Sequence, residues 1–223
     1  MKLVGGRFLK LCILSLLQGD LGSHHSQISV ETYRGFALAD SVAPFVVIND
    51  RDSATAWSFT LLHELVHLFL GETGISAGRP QSALEQFCND VAGEYLVDTA
   101  ELKRLNISDL IPSEVARSQI TDFARPRHLS STMVAYRLFR ISAISLPYWN
   151  ELRAFYRNMW SAARAKKQGS EGGPNYYVVR RHRIGDTLLG FTRRMLADGA
   201  LSTTKAAKVL AVKPRSVGPL LAA

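Results

Sequence analysis

The feature that most restricts this chain lies between Ala54 and Gly71, where Trp57, Leu61, Leu65, Leu68 and Phe69 recur at three- and four-residue intervals. A helix of about five turns gathers such residues on one side, and Gly71 is a natural stop. Asp52 or Ser53, in the polar loop Asn49-Asp50-Arg51-Asp52-Ser53, can accept its first free amide hydrogens. Within this helix stands His63-Glu64-Leu65-Val66-His67. Residues four apart share a helix face, so the two imidazoles can aim a nitrogen at one point. Glu64 falls beside that point, where its carboxylate can take a proton from a metal-bound water. Two unpaired imidazoles and a carboxylate in so apolar a helix are costly to bury unless a metal or hydrogen bonds satisfy them. The spacing predicts a metal site with His63 and His67 as ligands and Glu64 as the catalytic base.

Catalytic zinc usually keeps three protein ligands and leaves the fourth position to water. A second helical pattern, roughly Ser82 to Ala100, puts Leu84, Phe87, Cys88, Val91, Tyr95 and Leu96 on its apolar side and carries Glu85, Asp90, Glu94 and Asp98. Glu85 lies in the first turn, close to the connecting loop, with Asn89 one turn on to orient it. Glu94 competes if the two helices cross steeply, and spacing leaves the choice open. Cys88 reads as a packed small hydrophobe. Tyr33, Tyr95 and His128 stand unranked as oxyanion donors.

Upstream, Thr32 to Leu38 and Ala43 to Ile48 are β-like and separated by the turn Ala39-Asp40-Ser41, which predicts a hairpin or sheet edge. Downstream, Val115, Ile120 and Phe123 mark a third helix, broken at Arg125-Pro126-Arg127 and restarted near Ser130 or Ser131. That helix, turn and helix is compatible with a DNA-binding unit and equally with any α-hairpin. An aromatic helix after Pro147 runs into the linker-like stretch from Ala165 to Pro174. The tail holds Arg180-Arg181-His182-Arg183 and helices near Gly185 to Ala197 and Thr203 to Leu210.

The formal charge of +8 is unevenly spread. Residues 1–125 carry 10 Lys/Arg against 15 Asp/Glu, whereas residues 126–223 carry 17 against 4. A polyanion, DNA above all, would therefore meet residues 126–223. Two cysteines are too few for a disulfide scaffold, which points to a reducing, cytoplasmic setting. Lys2, Arg7 and Lys10 before the apolar run Leu11 to Leu17 imitate a signal peptide, but no small-x-small cleavage site follows and seven residues cannot span a bilayer. No membrane association is expected.

The runs Arg34-Gly35-Phe36-Ala37, Pro44 to Asn49, Phe59 to Leu68 and Glu85-Gln86-Phe87-Cys88-Asn89 resemble the ImmA/IrrE metallopeptidases, closely over about residues 31–98. In that family the helix after His-Glu-x-x-His carries a Glu-x-x-x-Asn pattern whose Glu completes the zinc site, and Glu85 with Asn89 match it. The resemblance implies Zn2+ held by His63, His67 and Glu85. It further implies a protein substrate, a repressor-type regulator of a mobile element or stress response. Where the family's second helix often ends Leu-Met-Pro-like, this chain has Leu96-Val97-Asp98.

The resulting expectation is an α+β, mainly helical protein with a small zincin-like β-sheet packed on the His-Glu-x-x-His helix and a helical basic region behind it. Its parts are an unassigned segment at 1–27, a zinc metallopeptidase domain at 28–125, a helix-turn-helix-like extension at 126–168 and a basic module at 169–223 after a Gly-rich linker. The expected function is a zinc-dependent metallo-endopeptidase, with a non-enzymatic DNA- or protein-binding regulator carrying a vestigial metal site as the alternative.

Overall fold

The computed structural model describes residues 13–21, 26–76, 82–167 and 175–222. Most of the linker-like stretch, the pair His24-His25 and the residues before Ile13 lie outside these. Strands β2 (Gly35–Leu38) and β3 (Phe45–Ile48) form the expected antiparallel hairpin, with Phe36 opposite Val47 and Ala37 opposite Val46. The Asp40 carboxylate closes the turn by accepting from the Val42 and Ala43 amides at 2.8 Å each. Strand β1 (Leu14–Leu17) lies parallel to β3, and β4 (Gly74–Ser76) lies antiparallel to β2, giving the order β1-β3-β2-β4. Leu14 to Leu17 of the run that imitates a leader thus form a sheet strand. Three leucines and a serine cannot reveal this by themselves, because the pairing comes from a distant β3.

Helix α1 (Ala54–Phe69) packs across β2 and β3 and against α2 (Ala83–Leu96). Their buried faces differ from those the periodicity marks. On α1 the fully buried residues are Thr60, His63, Glu64 and His67, while Trp57, Leu61, Leu65 and Leu68 are half-buried and Phe69 is 76% exposed. On α2 the buried positions are Cys88, Ala92 and Gly93, and Phe87, Val91 and Tyr95 face outward. Small residues are what a close approach of two helices requires. The larger apolar side chains are left on the far side.

Asp98 caps α3 (Thr99–Lys103), accepting from the Ala100 amide at 2.6 Å. Helices α4 (Ser113–Ala124), α5 (Ser131–Arg140) and α6 (Leu146–Lys167) follow, with Arg125–Arg127 as a 3-10 turn between the first two. Val97, Leu102, Ile120, Val134, Leu138 and Leu152 belong to one apolar core that runs across these helices. Each fully buried leucine in it stabilises the fold by about 1.5–3 kcal/mol. Helix α5 buries Met133, Val134, Ala135, Arg137 and Leu138, so it is a central core helix.

A second core gathers α7 (Tyr176–Ile184), α8 (Asp186–Ala197), α9 (Thr203–Val209) and α10 (Val217–Ala222) around Ile184, Leu189, Leu210, Val217 and Leu220. This module rests on β1 through α7. Arg183 holds it there, reaching Asp20 at 2.7 Å and Asp50 at 2.6 Å. The architecture is a mainly helical α+β fold. No helix among the described residues is long and apolar enough to cross a membrane.

Candidate metal centre

Ser82 starts α2 by accepting from the Glu85 amide at 3.2 Å, which puts Glu85 in the first turn and next to α1. His63 and His67, one turn apart on α1, bring their Nε2 atoms within 3.1 Å. The Glu85 carboxylate spans both, with Oε2 at 3.2 Å from His63 Nε2 and Oε1 at 3.2 Å from His67 Nε2. Both imidazoles are buried, and burial is the largest influence lowering the pKa of His63. The neighbouring His67 works in the same direction, while Glu85 and a hydrogen bond with Asn89 oppose it. The resulting neutral imidazole is the form that binds a metal.

The other acidic residues of α2 are engaged elsewhere. Asp90 makes two 2.7 Å hydrogen bonds to Arg140. Glu94 pairs with Arg137 and accepts from the Thr99 hydroxyl at 2.9 Å. Asp98 is the cap of α3. Of the four carboxylates left open by spacing, Glu85 is the one that reaches the histidines. Cys88 also comes close: one donor atom from each of His63, His67 and Cys88 falls within 4.8 Å of the others. Burial pushes the Cys88 thiol up to about 11, with the charges of Glu85 and Glu64 acting in the same direction.

Glu64 is wholly buried beside the histidines. Gly35 of β2 lets it sit there, since a Cβ at that position would stand 2.6 Å from the Thr60 methyl and 2.9 Å from Glu64 Oε1. Gly74 of β4 does the same for His67, where a Cβ would lie 3.3 Å from the imidazole Nδ1 and Cε1. Two strand glycines thus press the sheet backbone against the helix that carries the site. Glycine opening a strand, where the backbone approaches a neighbour closely, is the signal by which these positions could have been found. Of the three oxyanion candidates, Tyr33 donates its hydroxyl to the Gln18 carbonyl, Tyr95 is 79% exposed, and His128 sits exposed in the left-handed turn after α4.

A family model described as the IrrE N-terminal-like domain, Peptidase_M78, matches residues 16–139, more than half of the chain. The chain belongs to that peptidase family. The match to the M78 domain begins in β1 and ends in α5, so it takes in the sheet, the histidine helix, α2 and much of the first helical core. Neither the curated proteins nor the solved structures contain a significant match.

Proposed function

We propose that this M78 member is a zinc-dependent metallo-endopeptidase, with His63, His67 and Glu85 as ligands and Glu64 as general base, acting on a cognate transcriptional regulator. The observation that carries the reading is the convergence of three side chains, the two imidazole Nε2 atoms 3.1 Å apart and a Glu85 carboxylate that spans them with one oxygen 3.2 Å from each. Tetrahedral zinc with bonds of about 2.0–2.1 Å separates its donors by about 3.3 Å, so the three side chains fit the ion with little movement. When bound, zinc supplies a Lewis acid that polarises the scissile carbonyl and acidifies water.

This chain's residues supply the proton handling. Glu64, one residue after the first histidine and wholly buried, takes the proton of the attacking water and returns it to the leaving amine. Gly35 leaves room for its carboxylate, and the β2 backbone limits where it can swing. The choice of a repressor-type regulator as substrate rests on the family likeness, and the basic charge of residues 126–223 suits an acidic or DNA-bound target.

Cys88 favours a second reading, in which its thiolate joins the other three ligands and closes a structural site. Burial in apolar surroundings raises the thiol pKa, which disfavours that arrangement. Metal analysis and a cleavage assay against a regulator encoded beside this gene separate the two. Glu64→Gln should keep about one zinc per chain and lose cleavage, His63→Ala and Glu85→Ala should lose metal, and Cys88→Ser should keep both. Full activity in Glu64→Gln would end the peptidase reading, and metal loss in Cys88→Ser would favour the closed site.

A further inference from the structure

The C-terminal module ends in two short helical segments whose burial follows a narrow pattern. On α9, Ala206 and Ala207 are buried and Lys205 and Lys208 are exposed. Leu210 is buried, Val212 is half-buried, and the next buried residues are Val217 and Leu220. Between the segments, Ala211 takes the left-handed conformation with φ of 48°. Its amide bonds to the Lys208 carbonyl at 3.1 Å, and the Val212 amide reaches back to the Ala207 carbonyl at 2.9 Å. These are the two bonds of a Schellman stop, and they reverse the chain within Leu210–Lys213. Helical backbone resumes at Pro214 as a 3-10 turn and continues through α10.

The second segment shows only one face to the core. Lys213, Pro214, Arg215, Gly218 and Pro219 are exposed, and the small residues among them leave a low profile. The reversal is held from behind by arginines. Arg180 donates to the Leu210 and Ala211 carbonyls at 2.7 and 3.0 Å, Arg181 to Leu220 at 3.1 Å and Arg193 to Leu221 at 2.6 Å. Residues 175–222 carry nine Lys/Arg and two Asp. No ion pair among the described residues involves Lys205, Lys208, Lys213 or Arg215, so this face presents bare positive charge.

We propose that α9, the Ala211 turn and residues 214–222 form a helix-turn-helix that binds duplex DNA. Residues 214–222 enter the major groove and α9 lies across the phosphate backbone. Two helices joined by a tight turn, with exposed residues at the start of the second, are what groove entry needs. Lys213 and Arg215 stand at that start, and Lys205 and Lys208 are placed for phosphates. The earlier helical break at Arg125–Arg127 does not serve, because α5 after it is enclosed in the first core.

The test uses the whole chain and a labelled duplex of about 30 base pairs, followed by fluorescence anisotropy between about 50 and 200 mM salt. The duplex should be retained at the lower salt and released steeply as salt rises. Lys213→Glu with Arg215→Glu should weaken binding by on the order of tenfold or more, and Lys205→Gln with Lys208→Gln should reduce the salt slope by about two. Arg125→Glu with Arg157→Glu, an equal charge change on exposed sites of α4–α6, should weaken it far less. Circular dichroism melts keep the comparison to folded proteins. No retention at about 50 mM salt, equal loss in both reversals, or tighter binding of single-stranded RNA of the same length would overturn the proposal.

Discussion

The backbone of Gly35 in β2 passes so close to Glu64 in α1 that a single added carbon would stand 2.9 Å from the carboxylate oxygen. Gly35→Ala should therefore displace Glu64 while leaving His63, His67 and Glu85 in place. Zinc content should stay near that of the parent, and kcat should fall about 10- to 100-fold, the loss that a displacement of about 1 Å from the productive geometry brings. Metal analysis alongside kinetics checks both halves, and an unchanged kcat would detach Glu64 from the chemistry.

Burial depresses the pKa of His63, so below about pH 6.5 the unfolded chain binds more protons than the folded one. Stability of the metal-free protein should be complete above that value and decline as pH falls through it. Denaturant melts of chelator-treated protein from about pH 8 to 5 measure this. His63→Gln should flatten the profile.

Gly93 sits inside α2, where alanine ordinarily adds about 1 kcal/mol of helix stability. Here a Cβ would fall 2.4 Å from the Cδ of Arg137, a buried guanidinium paired with Glu94. Gly93→Ala should instead destabilise by about 1–2 kcal/mol, since overpacking outweighs propensity. Because α2 also carries Glu85, metal affinity should drop with it. Chemical denaturation and a competitive zinc titration report the two effects.

Arg183 joins the C-terminal module to the sheet through Asp20 and Asp50, all three side chains being largely buried. Arg183→Ala should cost about 3 kcal/mol, because it leaves two carboxylates enclosed without their cation. Adding Asp20→Asn and Asp50→Asn should recover part of that loss. A single mutant as stable as the parent would show that the module is held by its apolar contacts alone.

The amino-acid order made the hairpin legible through its Asp40 turn, and α1 through its periodicity. The meeting of His63 and His67 was legible because residues four apart in any helix must share a face. The carboxylate that meets them was not legible from spacing, since the choice between Glu85 and Glu94 depends on how α2 crosses α1. Strand β1 was equally hidden, its pairing to β3 joining Leu14 to Phe45 across the intervening chain. Phe87, Val91 and Tyr95 were misleading on α2, because close packing against α1 and α5 selects small residues and turns large ones outward.

What the sequence determined by itself is local chemistry: His63, Glu64 and His67 on one helix, a second helix beginning near Ser82, and positive charge gathered behind residue 125. Tertiary structure decided which carboxylate meets the histidines, which glycines admit the sheet to Glu64, and that Arg183 finds partners 133 and 163 residues away. The physical reason is one of range. Helix periodicity, capping and turn formation act over a few residues, whereas burial and ion pairing depend on groups that only the folded chain brings together.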